Sequence, residues 1–108
     1  MNNDWSRSAG NQLRGILRTI AHELSMEDAQ RWRVKIKDSV KPLRTYPDMG
    51  SVVPSQCYLY PPSYNANIRQ IICAPYRIIY ETVGNVNRIL AILHGRQMIS
   101  PQDIRWDK

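Results

Sequence analysis

Hydrophobic residues recur with helical spacing near the start of the chain. They follow the series i, i+3, i+4, i+7, i+8 and i+11, which places them in one stripe of an amphipathic helix. This stripe consists of Leu13, Ile16, Leu17, Ile20, Ala21 and Leu24. Arg14 and Arg18 lie off the stripe. The pattern therefore predicts a first helix that buries one face.

A second helix is predicted directly after the first. Ser25 offers an N-cap oxygen, and Asp28 stands at the third helical position, as in a variant of the capping box. The apolar face of this helix consists of Ala29, Trp32, Ile36 and Val40. Pro42 should end or kink the helix, because it has no N–H to donate to the carbonyl four residues back. With almost no residues between them, the two helices are expected to form an antiparallel hairpin.

The C-terminal half has the pattern of strands. A long connection rich in Pro, Ser and Tyr, "YPDMGSVVPSQCYLYPPSYNAN", comes first and is typical of a binding or flexible loop. β-Branched and aromatic residues then dominate three stretches, at about 67–73, 75–83 and 86–94. Gly84-Asn85 is a two-residue turn of the kind that closes hairpins. The first residues, "NNDW", are compatible with a short edge strand.

The two-residue turn predicts which side chains of the last two strands share a face. The register that follows from it pairs Val83 with Val86, Glu81 with Arg88, Ile79 with Leu90, and Arg77 with Ile92. One face of the hairpin then holds Arg77, Ile79, Glu81, Arg88, Leu90, Ile92 and His94. The opposite face, which is expected to pack on the helices, holds Tyr76, Ile78, Tyr80, Ile89, Ala91 and Leu93.

This register places Arg77 beside His94, with Arg96 just beyond, at one end of the sheet. Arginine offers a fork of donors for phosphate or carboxylate, and histidine exchanges a proton near neutral pH. Such a trio could cleave RNA, with a base that activates the 2′-hydroxyl, an acid for the leaving oxygen, and arginines for the charge. The alternative is structural: Arg77 pairs with a main-chain or acidic neighbour, and His94-Gly95 only ends a strand.

Length and composition limit the class of protein. A chain of 108 residues is expected to form a single domain, residues 1–108. Fifteen Lys and Arg against nine Asp and Glu give a net charge of +6, which favours anionic partners such as nucleic acid or an acidic protein surface. No apolar run approaches the roughly 20 residues of a membrane span, and "MNNDWSRS" lacks the apolar segment of a signal peptide. Cys57 and Cys73 are expected to be free thiols in a cytoplasmic protein.

The second helix carries two rows of basic residues. Arg33, Lys37 and Lys41 form one row, and Arg31 and Lys35 form the other. Such rows are either a solvated helix face or a docking surface for an acidic partner. The two histidines, His22 and His94, are far apart in sequence and have no flanking ligand pattern, so neither a metal site nor a cofactor is expected.

The order of elements and several motifs resemble the RelE/ParE superfamily, the toxins of bacterial type II toxin–antitoxin modules. "SRSAGNQLRGILRTIA" is similar to the first helix of these toxins, and "YPDMG" to the start of the connection. The most specific block is "YRIIYE" followed by "ILAILHGR". The resemblance runs from about Trp5 to Gln97 and implies an α+β fold, with an N-terminal helix hairpin packed on a small twisted antiparallel sheet.

The superfamily contains two mechanisms. RelE-like members are ribosome-dependent mRNA endonucleases, and Arg77 and Arg96 match their two arginines. Ile68 and Gln70 stand where that branch has basic residues, and Gln102 falls near the place of its tyrosine. ParE-like members poison DNA gyrase, and their last strand commonly ends in a sequence like "LHGRR", which "ILHGRQ" resembles.

The resemblance to the ParE branch implies a gyrase inhibitor neutralised by a ParD- or RelB-like antitoxin, with operator DNA bound only through the antitoxin. A RelE-like nuclease using Arg77, His94 and Arg96 is the alternative, and a partner-binding module that has lost toxicity is the third. Candidate target-binding residues are Arg31, Arg33, Lys35, Lys37, Arg77 and Arg96. Candidate antitoxin-binding residues, expected to form a groove for an amphipathic helix, are Leu13, Ile16, Leu17, Ile79, Leu90 and Ile92. The antitoxin is also expected to pair with a sheet edge.

Overall fold

The computed structural model describes residues 1–54 and 68–108. The first helix, α1, spans Arg7–Glu23, and the second, α2, spans Met26–Val40. Each helix begins at a serine whose hydroxyl accepts a hydrogen bond from the third helical N–H: Ser6 from Ala9 at 2.9 Å and Ser25 from Asp28 at 3.0 Å. The predicted helix hairpin and its Ser25 cap are therefore confirmed.

Pro42 ends α2 as predicted, and the chain continues in a short 3-10 helix, Lys41–Arg44. The proline occupies the first turn of that helix, where its missing N–H breaks no hydrogen bond. None of the helices within the two described ranges is both long and apolar enough to cross a membrane.

The sheet has five strands in the order β1-β5-β4-β3-β2. Their bounds are β1 Asn2–Trp5, β2 Ser51–Val52, β3 Arg69–Cys73, β4 Tyr76–Val83 and β5 Val86–His94. The "NNDW" stretch is indeed an edge strand, but it runs parallel to β5, so the sheet is mixed rather than purely antiparallel. The α+β class and the arrangement of a helix hairpin on a small sheet are confirmed. The predicted strand starting at residue 67 begins at Arg69, and residue 67 itself lies outside the described residues.

The predicted register of the β4–β5 hairpin holds only near the turn. Val83 pairs with Val86 and Glu81 with Arg88, as expected, and Gly84 adopts φ +61° in the turn. Between Ile79 and Tyr80 the ladder shifts by one residue, because β5 contains an extra residue there. Past this bulge Ile79 pairs with Ala91, Ile78 with Ile92, Arg77 with Leu93, and Tyr76 with His94.

The bulge corrects the predicted faces. Leu90 and Ala91 both lie on the face away from the helices, together with Ile79 and Leu93. Ile92 lies on the helix side, packed with Ile78, Tyr80 and Ile89. The predictions that Ala91 and Leu93 face the helices, and that Ile92 and His94 share a face with Arg77, are therefore wrong.

The sheet has a hydrophobic core on each face. The helix-side core contains Ala9, Leu13, Ile36, Val40, Leu43, Ile71, Cys73, Ile78, Tyr80, Ile89 and Ile92. The second core contains Val53, Ile68, Ile79, Leu90, Ala91, Leu93, Ile99 and Ile104, with Trp106 packed against it. No sequence pattern predicts a role for the tail after residue 97, yet Ile99, Ile104 and Trp106 cover the second face. Cys73 is a buried free thiol, and Cys57 lies outside the described residues.

The C-terminal tail is fastened to the start of α1. The Asp107 carboxylate accepts hydrogen bonds from the Ser8 hydroxyl at 2.5 Å and from the Ser8 N–H at 3.1 Å, and Arg7 N–H donates to the Asp107 carbonyl at 3.0 Å. A carboxylate at this position also complements the positive end of the helix dipole. The tail therefore joins the end of β5 to the helix layer across the second face of the sheet.

Candidate functional site

Arg77 lies on the sheet face opposite the helices, in the row of β4 that also contains Ile79 and Glu81. Its guanidinium donates from Nε to the Gln70 side-chain oxygen at 2.8 Å and from Nη1 to the Gln97 carbonyl at 2.7 Å. Both acceptors are neutral, so the positive charge of Arg77 is not neutralised by them. The hydrogen bonds tie β4 to β3 and to the turn after β5.

His94 lies on the helix side of the sheet. Its ring contacts Tyr76 edge to face, with ring centroids 5.7 Å apart, and Tyr76 contacts Trp32 of α2 in the same way at 5.5 Å. Lys35 places its ammonium 4.5 Å from the Trp32 ring centroid. Arg77 and His94 are therefore on opposite faces, and the prediction that they form one cluster is wrong. Arg96 follows in the exposed turn.

Burial raises the pKa of the Tyr76 phenol, and the neighbouring Cys73 thiol raises it further. Tyr76 therefore stays protonated at neutral pH and acts here as an aromatic contact rather than as a base. In the described part of the chain, no three His, Cys, Asp or Glu side chains are close enough together to hold a metal ion.

The basic residues of α2, together with Lys41 directly after it, divide into two groups by their partners. Arg31 lies 3.8 Å from both Glu27 and Asp28, and Lys41 lies 2.8 Å from Asp38. Within residues 1–54 and 68–108, the exposed side chains of Arg33, Lys35 and Lys37 form no ion pair. Paired cations contribute little net field, so the unpaired ones dominate the potential of this helix face.

A groove of about 370 Å³ runs between α1 and α2 on their outer side. We call it the hairpin groove. Its floor is apolar, and arginines from both helices line its rim: the residues are Arg14, Leu17, Arg18, Ala21, Met26, Ala29, Gln30 and Arg33. Lys37 lies further along the same side, near Leu13 and Trp5. Arg14 and Arg18 were not among the predicted site residues, although their positions off the apolar stripe of α1 were a signal for them.

A second opening, of about 620 Å³, lies between α1 and the end of β5. We call it the α1–β5 cleft. It is lined by Gln12, Gly15, Ile16, Thr19, Ile20, Glu23, Tyr76, Ile92, Leu93, His94 and Gln97. Among these lining residues Glu23 has the only permanent charge, so the cleft differs in charge from the hairpin groove.

The residues predicted to bind an antitoxin do not form one open groove. Ile79 and Leu90 are fully buried in the second core, under the C-terminal tail. Leu13 and Ile92 are 6% and 4% exposed, so each offers only an edge to the surface. Leu17 and Ile16 are half-buried and lie in different places, Leu17 in the hairpin groove and Ile16 in the α1–β5 cleft. A groove that combines the second sheet face with α1 is therefore excluded by the position of the tail.

Comparison with known proteins agrees with this architecture. The family model described as "ParE toxin of type II toxin-antitoxin system, parDE" matches residues 4–99. A solved structure titled "Chromosomal ParDE TA system from P. aeruginosa" superimposes with a TM-score of 0.69, covering 88% of this chain and 96% of that one at 22% identity. That likeness shows a shared fold. No curated protein matches the chain in sequence. Because the family model covers most of its length, this chain belongs to the ParE toxin family of type II toxin–antitoxin systems.

Proposed function

We propose that this ParE-family chain inhibits growth by poisoning DNA gyrase in the cytoplasm, and that a ParD-like antitoxin neutralises it by direct binding. The observation that carries the proposal is the separation of Arg77 from His94 by the thickness of the sheet. RNA cleavage requires a base, an acid and a cationic group around one scissile phosphate. Two of the three candidate side chains approach from opposite faces, which favours a binding mechanism over the ribonuclease.

The surface that fits an acidic target is the basic side of the helix hairpin. Arg33 and Lys37 are exposed and have no ion pair in the described structure. Both lie near Arg14, and Arg33 also lines the hairpin groove together with Arg14. Unpaired cations on one face raise the association rate with an acidic partner and make the rate sensitive to salt. We assign gyrase recognition to this face, with Arg77 and Arg96 as the competing candidate surface.

The hairpin groove also fits part of an antitoxin. An apolar floor between rows of arginine suits an amphipathic helix whose exposed edges carry carboxylates. A helix in that position would cover Arg33 and pair its charge. The same basic surface would then be unavailable to gyrase, which explains neutralisation by occlusion.

The test compares two double variants, in α2 and at Lys41 directly after it, that remove the same charge. Arg33→Gln with Lys37→Gln removes unpaired cations, whereas Arg31→Gln with Lys41→Gln removes cations that already have carboxylate partners. The first pair should weaken inhibition of gyrase supercoiling and cleavage-complex formation by roughly tenfold or more, equivalent to about 1.4 kcal/mol of contact energy. The control pair should change either activity by less than about twofold, as expected for exposed ion pairs.

The purified chain is assayed in parallel for mRNA cleavage on translating ribosomes. Codon-phased cleavage abolished by Arg77→Ala, with gyrase unaffected, would reject the gyrase proposal in favour of the nuclease. Harmless expression without antitoxin, together with tight antitoxin binding, would instead identify a partner-binding module. Equal effects of the two double variants on gyrase would remove the helix face from the mechanism and leave Arg77 and Arg96 to be tested.

A further inference from the structure

Four basic residues from the two helices follow the hairpin groove. On α1, Arg14 and Arg18 are one turn apart, about 6 Å along the axis, and the same spacing separates Arg33 and Lys37 on α2. Arg14, Arg18 and Arg33 line the groove, and Arg14, Arg33 and Lys37 line an adjoining pocket of about 380 Å³. The order along the groove is therefore Arg18, then Arg14 beside Arg33, then Lys37. We call these four residues the cation row.

The acidic residues of the chain lie away from the cation row. Among the described residues that line the groove and the adjoining pocket, none is acidic. Within residues 1–54 and 68–108, no member of the row forms an ion pair, and residues 55–67 contain no Asp or Glu. Arg14 donates to the side-chain oxygen of Asn11, which is neutral. All members of the row are exposed, so one face presents four unpaired charges in a chain whose net charge is +6.

A row of like charges suits a linear anion better than a compact one. A free phosphate ion reaches one or two exposed cations at a time, and water and salt screen such a contact. A nucleic acid strand carries one charge for about every 3.4 Å of helix axis, so a strand along the groove offers a phosphate to each member of the row. Arginine donates a fork of N–H groups to phosphate oxygens, and lysine adds a point charge. The counterions released from a duplex by these contacts favour binding further.

We infer that the cation row binds the sugar–phosphate backbone of duplex DNA directly, without preference for base sequence. The choice of duplex DNA among linear polyanions rests on the proposed function, because gyrase acts on duplex DNA and holds it beside a bound inhibitor. Contacts to phosphates position a protein on a duplex but carry no sequence information. The resemblance to ParE toxins implies that operator DNA is bound only through the antitoxin. A contact that ignores sequence is a separate property of the toxin itself.

The salt dependence of DNA binding by the purified chain alone tests the inference without gyrase. Fluorescence anisotropy of a labelled duplex of about 20 base pairs is measured between about 50 and 200 mM KCl. Each phosphate that a protein neutralises contributes about −0.9 to the slope of log K against log salt concentration. If each member of the cation row contacts one phosphate, the slope should be about −3.6.

Two double variants with the same loss of charge provide the matched comparison. Arg14→Gln with Arg18→Gln removes half of the row, whereas Arg31→Gln with Lys41→Gln removes cations that have carboxylate partners. All four positions are exposed, and glutamine has nearly the helix propensity of arginine and lysine, so both variants should keep the fold. The first should weaken binding by at least about tenfold at 100 mM KCl and change the slope to about −1.8. The second should change affinity by less than about threefold and keep the wild-type slope.

A third variant separates charge from shape. Arg14→Lys with Arg18→Lys should keep the wild-type slope, because lysine also neutralises a phosphate. Equal losses of affinity and slope in the two glutamine variants would assign binding to the net charge of the whole chain and overturn the inference. Tighter binding of duplex RNA than of duplex DNA, or strong preference for one of two unrelated DNA sequences, would also overturn it.

The inference and the proposed function can fail separately. A wild-type chain that shows no salt-dependent binding to DNA overturns the inference, while the gyrase assays with the Arg33 and Lys37 variants still decide the proposed function. DNA binding with the expected slopes, but without any inhibition of gyrase, overturns the proposed function and leaves the DNA contact in place.

Discussion

The most informative stability prediction concerns Asn87, a fully buried polar residue on β5. Its amide nitrogen donates to the Asn3 side-chain oxygen at 2.9 Å and to the Leu43 carbonyl at 2.8 Å, and its oxygen accepts from the Thr82 hydroxyl at 2.8 Å. Asn3 in turn donates to the Val40 carbonyl at 2.8 Å. The Asn87 side chain therefore joins the edge strand, the hairpin and the 3-10 helix that follows α2.

Replacing Asn87 by leucine keeps a similar volume but removes all three bonds. The Leu43 carbonyl is buried, so leaving it without a donor costs about 1–3 kcal/mol. The hydrogen bonds to Asn3 and Thr82 are only part-buried, so water can bond to these groups in the variant. Losing each of the two bonds should therefore cost about 0.5–1 kcal/mol. We expect Asn87→Leu to lower the free energy of unfolding by about 2–5 kcal/mol, a large fraction of the total stability of a domain this size.

The assay is urea denaturation followed by tryptophan fluorescence, with the m-value checked for constancy. Thr82→Val serves as the matched control, because it removes only one part-buried bond and should cost about 1 kcal/mol. If Asn87→Leu costs no more than Thr82→Val, the buried Leu43 carbonyl finds another partner, and the assignment of Asn87 as the junction of these elements is refuted.

Three other predictions follow from specific contacts. Tyr80→Phe should lower the free energy of unfolding by about 1–3 kcal/mol in the same assay, because the Tyr80 hydroxyl accepts a hydrogen bond from the buried N–H of Gly50 at 3.0 Å. Gly50→Ala should lower the free energy of unfolding further, since a Cβ there would lie 2.7 Å from the Tyr80 ring. Hydrogen bonds from the Ser8 hydroxyl and from the Ser8 N–H lower the pKa of Asp107. The ionised carboxylate therefore stabilises the docked tail above about pH 4, and this stabilisation is lost as the pH falls through the lowered pKa. When the fluorescence of Trp106 in the tail is followed during an acid titration, Asp107→Asn should lack the transition caused by protonation of Asp107. The same titration curve in the variant and the wild type would contradict this role of Asp107. Ser25→Ala should cost about 1 kcal/mol of thermal stability through loss of the α2 cap, and a neutral effect would contradict the capping role.

The elements that sequence predicted correctly depend on local patterns. The apolar period of α1, the serine cap of α2 and the break at Pro42 each lie within a few residues of the feature they determine. The β4–β5 hairpin was predicted within one residue of its observed bounds, because its turn and its β-branched residues are adjacent in sequence. Local signals of this kind do not depend on the rest of the fold.

The features that sequence did not predict depend on distant parts of the chain. The parallel pairing of β1 with β5 joins residues more than 80 positions apart, and no local pattern encodes its direction. Three residues of the tail after β5 pack on the sheet, Ile99, Ile104 and Trp106, and their spacing fits neither a helix nor a strand. It becomes part of a core only because the sheet offers an uncovered face.

The bulge in β5 has the largest consequence for the site, and the sequence conceals it. Leu90 and Ala91 are both apolar and lie on the same face. Because no polar residue is displaced, the alternation of polar and apolar residues along β5 gives no sign of the bulge. The extra residue nevertheless reverses the side of every later residue in β5. It turns Ile92 inward to the helix-side core and moves His94 to the face opposite Arg77.

The same bulge also decides how the candidate catalytic groups at the end of β5 are arranged. A continuous ladder would have put His94 and Arg77 on one face, as an active site for phosphate cleavage needs. With the bulge, Arg77 is engaged by Gln70 and the Gln97 carbonyl on one face. On the other face, the His94 ring contacts Tyr76 edge to face. One extra residue in a strand thus separates the two groups that a continuous ladder would have brought together.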